Sequence, residues 1–126
     1  MIRVLVAEDS DTARALLIEI LRDDSEIEIV GEARDGAEAI KMAGQLKPDL
    51  VTLDILMEGM DGMAALREIM KEHPQAKVVM VTALGQDQVQ EEARKIGSSG
   101  YIRKPFKPDE IVQELKRVLG TAGDQK

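Results

Sequence analysis

Residues 50–54 read Leu50-Val51-Thr52-Leu53-Asp54, a run of strand length that is mostly apolar and ends on a carboxylate. An apolar run this short suits a strand buried on both faces, as in a parallel sheet. The aspartate that closes it must find a metal, a lysine or a cap, because an isolated ionised carboxyl is expensive to take out of water. Two further stretches repeat the pattern. Val4-Leu5-Val6-Ala7 runs into Glu8-Asp9, and Tyr101-Ile102-Arg103 runs into Lys104-Pro105. Three acids and one lysine at strand ends suit a divalent cation and a phosphoryl group, since open α/β sheets bind ligands at the carboxyl ends of their strands.

Working outward, strand-length runs alternate with helical periodicity along the whole chain. Strands are expected at 3–7, 28–33, 50–54, 77–82 and 101–103. Ala13, Leu16, Leu17, Ile20 and Leu21 repeat at helical spacing, with Asp11 as the N-cap and the helix ending near Asp23-Asp24. Further helices are expected at 36–46 before Pro48, at 63–72 before Pro74, at 87–96 ended by Gly97, and at 109–119. The class is α/β with a parallel sheet covered on both faces. Residues 1–120 form one domain and Thr121-Lys126 a tail.

Composition narrows the function. The 126 residues are 44% hydrophobic and 33% charged, a globular balance, with 2% aromatics and no cysteine. Few aromatics argue against stacking on nucleic-acid bases, and a net charge of -7 repels polyanions and favours basic partner surfaces. The missing cysteines remove thiol catalysis and thiolate metal sites. No stretch reaches the roughly 18 apolar residues of a membrane span. Met1 leads into a strand with no apolar leader, so a cytoplasmic setting without membrane insertion is expected. Neither G-x-x-x-x-G-K-[ST] nor G-x-G-x-x-G occurs.

The ordered set Glu8-Asp9, Asp54, Met57-Glu58-Gly59-Met60-Asp61-Gly62, Thr82-Ala83, Tyr101 and Lys104-Pro105-Phe106 resembles the receiver domains of two-component response regulators over nearly the whole chain. That resemblance implies a doubly wound, flavodoxin-like (βα)5 fold with sheet order 2-1-3-4-5, an order that periodicity alone does not supply. It implies that Asp54 accepts a phosphoryl group from a sensor histidine kinase. It also implies Mg²⁺ (Mn²⁺ or Ca²⁺ as substitutes) on Asp9, Asp54 and the Leu56 carbonyl, with Glu8 acting through a water. Lys104, Thr82 and Ala83 would contact the phosphoryl oxygens, and the peptide between Lys104 and Pro105 would be cis. Thr82 and Tyr101 would form the switch. The output would be binding of a downstream motility or regulatory protein by the face of the fourth helix, fifth strand and fifth helix, with a monomer or weak dimer as the unit.

Several residues have plainer readings. Glu8-Asp9 alone could be a solvated helix-start pair, Lys104 a surface lysine, Thr82 a strand residue, Tyr101 half-buried packing, the methionines core filler, and His73 a helix-end residue. Departures from the family pattern also matter. Glu58 stands where the family has proline, and Leu56 and Leu84 stand where fast-cycling relatives carry polar groups, so both leucines are expected to cover the site with apolar surface. A chain ending after its fifth helix, if complete, must signal by binding. The stretch from Thr82 to Gln86 and the run from Gly100 to Phe106 resemble single-domain chemotaxis receivers, and the first third also resembles receivers joined to chemotaxis methylesterases. An aspartyl-phosphate phosphatase of the haloacid-dehalogenase type would want an acid at position 56, and a pseudo-receiver would have lost Asp54 or Lys104.

Overall fold

The alternation of buried runs and amphipathic stripes folds as β1 (Ile2–Ala7), α1 (Asp11–Arg22), β2 (Ile27–Ala33), α2 (Gly36–Leu46), β3 (Leu50–Asp54), α3 (Gly62–Glu72), β4 (Lys77–Thr82), α4 (Asp87–Ile96), β5 (Gly100–Arg103) and α5 (Pro108–Leu119). The computed structural model describes residues 1–57, 61–83, 85 and 87–120. Expected Glu58, Gly59, Met60, Leu84 and the tail 121–126 lie outside the described residues.

The five strands are parallel in the order β2-β1-β3-β4-β5. From β1 the chain steps one way to β2 and afterwards moves the other way. Right-handed crossovers therefore put α1 on one face of the sheet with α5, and α2, α3 and α4 on the other. The alternation of side chains along each strand matches this division. Val4, Val6, Leu50, Val79 and Ile102 pack with Leu17, Ile18, Leu21, Ile111 and Leu115 on the first face. Leu5, Ala7, Val51, Leu53, Val78 and Met80 pack with Ala39, Ala43, Leu66, Ile69 and Ala93 on the second.

Two readings of α1 are corrected. Ser10, not Asp11, is the N-cap, its hydroxyl accepting from the Ala13 N–H at 3.2 Å. The buried stripe is Arg14, Leu17, Ile18 and Leu21, while Leu16 is 47% exposed. The helix is turned by about one residue because Arg14 is satisfied inside. Its guanidinium donates to the Glu8 carbonyl at 2.9 Å, to Asp11 at 2.6 Å and to Glu32 at 3.3 Å. A guanidinium with three acceptors, two of them carboxylates, can be buried at acceptable cost, whereas Leu16 on the solvent side forfeits part of one side chain's burial. The other elements begin up to one residue earlier than expected, within the usual fraying of boundaries.

Gly62 brings α3 onto the end of β3. Its N–H donates to the Ile55 carbonyl at 2.8 Å, and a Cβ there would lie 2.1 Å from the Asp54 carbonyl oxygen and 2.7 Å from the Ile55 Cα. Backbone cannot retreat as a side chain can, so Gly62→Ala should cost about 1–3 kcal/mol or more. Gly44→Ala in α2 meets its nearest neighbour, His73, at 3.6 Å and should gain about 0.5–1 kcal/mol from helix propensity. Urea unfolding of the two variants checks both signs.

Candidate phosphoacceptor and metal site

Register builds the site. Ala7 pairs with Leu53, so the next residues on β1 and β3, Glu8 and Asp54, arrive side by side at the carboxyl edge of the sheet. Asp54 pairs with Val81, the residue before Thr82. Thr82 pairs with Arg103, and the Lys104 N–H continues onto the Thr82 carbonyl at 2.8 Å. Four strands thus deliver Glu8-Asp9, Asp54, Thr82-Ala83 and Lys104 to one place. The Lys104–Pro105 peptide is cis.

Within that edge the charges meet. One carboxylate oxygen from each of Glu8, Asp9 and Asp54 lies within 4.8 Å of the others. Lys104 Nζ is 3.0 Å from Asp54 Oδ2 and 3.2 Å from Glu8 Oε1. The Leu56 N–H donates to Asp54 Oδ1 at 3.1 Å, and the Ser10 N–H to Glu8 Oε2 at 3.1 Å. Glu8 is 1% exposed and Asp54 5%. The contact between Glu8 Oε1 and Lys104 lies within ion-pair range but outside hydrogen-bond geometry, so this buried oxygen still lacks a bonded partner. Buried acids with spare oxygen lone pairs fit a hard cation such as Mg²⁺, which takes a few carboxylates and keeps several waters.

Burial first, then the hydrogen bond and negative charge of Asp54, push the Glu8 carboxyl up to about 7, against the Ser10 N–H and Lys104. For Lys104 burial works to lower the pKa, but the hydrogen bond and charge of Asp54, with the nearby charge of Glu8, outweigh it and raise the pKa above that of an ordinary lysine. The edge therefore holds more negative charge than Lys104 alone can offset.

The other expected residues have clear places. Thr82 is buried, with its hydroxyl donating to the Ile102 carbonyl at 3.4 Å and accepting from Gln90 Nε2 at 3.1 Å. Tyr101 is half-buried, as its plainer reading expected, and its hydroxyl donates to the Gln90 carbonyl at 2.6 Å. Leu56 is 65% exposed, which corrects the expectation that it covers the acids. It occupies the turn held by its own N–H to Asp54, and that turn carries its side chain into solvent. His73 is the C-cap of α3, as expected, beside a cavity of about 400 Å³ lined by Ala43, Pro48, Val51 and Pro74. That cavity lies at the amino ends of β3 and β4, away from the acids. Sequence reasoning missed Gln90 and Arg14; a glutamine on a polar helix carries no signal, and Arg14 is legible only as a charge at i+4 from Ser10, on the turn that holds Glu8-Asp9.

The model of the family described as "Response regulator receiver domain" matches residues 4–116. This chain belongs to that family. It is 49% identical over 109 residues to a protein-glutamate methylesterase/protein-glutamine glutaminase of Myxococcus xanthus, covering 86% of this chain but only 31% of that longer protein. It is 41% identical over 117 residues to the chemotaxis protein CheY of Listeria monocytogenes, covering 93% of this chain and 98% of that one. Among solved structures, the response regulator domain of Thermotoga maritima CheB superposes with a TM-score of 0.89 at 33% identity, covering 95% of this chain and 97% of that one. The chain is a two-component receiver domain, and receivers are signalling phosphoacceptors that bind Mg²⁺ at an acidic pocket and interact with histidine kinases and downstream effectors. Among the described residues no helix is long and apolar enough to cross a membrane.

The raised Glu8 pKa sets a pH dependence for the metal-free protein. Between the ordinary glutamate value of 4.5 and about 7 the folded state holds a proton that the unfolded state has released. Stability from this group is therefore full below about 4.5 and is lost as pH rises through 7. Acids with lowered pKa values, such as Asp24 and Glu114, act below that window. Metal-free protein should lose stability between pH 5 and pH 8, and Glu8→Gln should flatten the slope, as read by urea midpoints in the presence of a chelator.

Proposed function

We propose that Asp54 is the phosphoacceptor, taking a phosphoryl group from the phosphohistidine of a sensor kinase, with chemotaxis or motility as the setting. The observation that carries this is the pairing of Lys104 Nζ with Asp54 at 3.0 Å inside a cluster of three acids. Asp54 presents a carboxylate nucleophile, and Lys104 is a mobile point charge able to move from the carboxylate to a phosphoryl oxygen. In the transfer an Asp54 oxygen forms a bond to phosphorus while the phosphorus–nitrogen bond to the histidine breaks, and the imidazole takes up a proton. Glu8, Asp9, Asp54 and the Leu56 carbonyl would hold Mg²⁺, whose charge offsets that of the phosphoryl oxygens. Thr82 would donate its hydroxyl, and Ala83 its N–H, to the remaining oxygens.

The phosphorylated form would signal by repacking Thr82 and Tyr101, changing the affinity of the α4-β5-α5 face for a motility or regulatory partner. Residues 1–120 would act as the receiver unit, as a monomer or weak dimer in the cytoplasm. The 31% coverage of the Myxococcus xanthus relative favours a second setting, the receiver part of a longer chemotaxis regulator. A pseudo-receiver is disfavoured by the intact Lys104–Asp54 pair.

Incubation with Mg²⁺ and acetyl phosphate should add the mass of one phosphate to the intact protein. Asp54→Asn should remain folded and gain none, because the amide keeps the shape and loses the nucleophile. Full labelling of that variant would refute the acceptor assignment.

Loss of the phosphoryl group needs an in-line water, and neither Leu56 nor Leu84 offers a polar atom to hold one. Self-dephosphorylation should be slow. Leu56→Asn combined with Leu84→Glu should accelerate it roughly tenfold, equal to about 1.4 kcal/mol of barrier, in a timed decay of the labelled protein.

A further inference from the structure

One residue bonds both members of the expected switch. Gln90, half-buried on α4, donates its side-chain amide to Thr82 Oγ1 at 3.1 Å, while its backbone carbonyl accepts from the Tyr101 hydroxyl at 2.6 Å. The same Thr82 hydroxyl donates to the Ile102 carbonyl at 3.4 Å. With its proton on a β5 carbonyl and a lone pair on Gln90, the hydroxyl is held toward β5 and α4. Lys104, by contrast, points its ammonium at Asp54 and Glu8. Thr82 can donate to a phosphoryl oxygen on Asp54 only by giving up its bond to Ile102, and a turn of its side chain toward Asp54 draws the oxygen away from the Gln90 amide.

We propose that Gln90 is a positioning residue that latches the Thr82 hydroxyl in the resting orientation and so sets how strongly the site must bind a phosphoryl group before the switch turns. This rests on the phosphoacceptor reading above and adds to it a named control. The latch is local. The Gln90 carbonyl anchors the Tyr101 ring through the helix backbone, which a side-chain substitution leaves in place, whereas among the described residues the amide donates to Thr82 alone. Removing the amide therefore frees Thr82 and spares the Tyr101 anchor. A neutral hydrogen bond made in one state and absent in the other shifts an equilibrium by about two- to tenfold.

The chain supplies its own probe, because Tyr101 is its only tyrosine and there is no tryptophan. Beryllium fluoride, a phosphoryl mimic, is titrated at saturating Mg²⁺ into wild-type, Gln90→Leu and Gln90→Ala proteins, followed by Tyr101 fluorescence and by the bound ¹⁹F resonance. Leucine keeps the bulk and alanine removes it, so a shared shift reports the lost amide rather than the new side chain. Both variants should reach half-saturation at about two- to tenfold lower beryllium fluoride than wild type. A merely structural role would weaken binding or leave it unchanged, and either result in both variants overturns the latch. If wild type shows no bound ¹⁹F signal, the acceptor reading itself falls and the latch with it. A bound signal with unshifted midpoints removes the latch alone.

Discussion

Lys104 reaching back to Asp54 and Glu8 is the interaction on which the rest depends. An ammonium 3.0 Å and 3.2 Å from two carboxylates makes burial of those acids tolerable. Without it Asp54, 5% exposed, and Glu8, 1% exposed, would sit desolvated against each other and against Asp9. The offset is incomplete, and burial first, then the hydrogen bond and charge of Asp54, keep the proton on Glu8 up to about 7. With all three acids ionised the site is two positive charges short of balance, a match for a divalent cation, and on the function proposed above a lysine shared between two acids would exchange one of them for a phosphoryl oxygen.

That arrangement requires four adjacent strands to end at one level. The parallel ladders provide this, since Ala7 opposite Leu53, Asp54 opposite Val81 and Thr82 opposite Arg103 leave no freedom to slide any strand by a residue. A slip would also exchange the two apolar faces of the strand, setting each side chain against the wrong helices. Packing of Leu5, Leu53 and Met80 on one side and Val4, Val6 and Val79 on the other therefore aligns the charged edge as a by-product of forming the core. Gly62 then lets α3 close against the last turn of β3, and Arg14 ties the Glu8 carbonyl to α1 and β2.

On the side of the site away from the acids, Thr82, Gln90 and Tyr101 form a second polar chain that leads from the sheet edge to α4. The two chains meet at β4 and β5, where the Lys104 N–H bonds the Thr82 carbonyl. On the function proposed above, a phosphoryl group arriving at Asp54 would act on two neighbours at once, Lys104 through electrostatics and Thr82 through its hydroxyl. This gives a small event at the acids a physical route to the surface of α4 and β5.

The sequence by itself determined the class, the strands and helices to within a residue or so, and the acids and lysine of the site. Each of those is written in local chemistry: a buried run broken by a carboxylate, or a helical stripe closed by proline or glycine. It misread α1, because periodicity saw Leu16 as core and could not know that Arg14 would find three acceptors inside. It also expected Leu56 to cover the acids, although a turn held by the Leu56 N–H on Asp54 leaves that leucine in solvent. Strand order came to the sequence reading through a family resemblance, and register emerged with the fold. The raised Glu8 pKa and the role of Gln90 needed the tertiary structure as well. Each depends on residues far apart in the chain meeting at a distance of a few ångströms, and that is decided by which faces can be buried together.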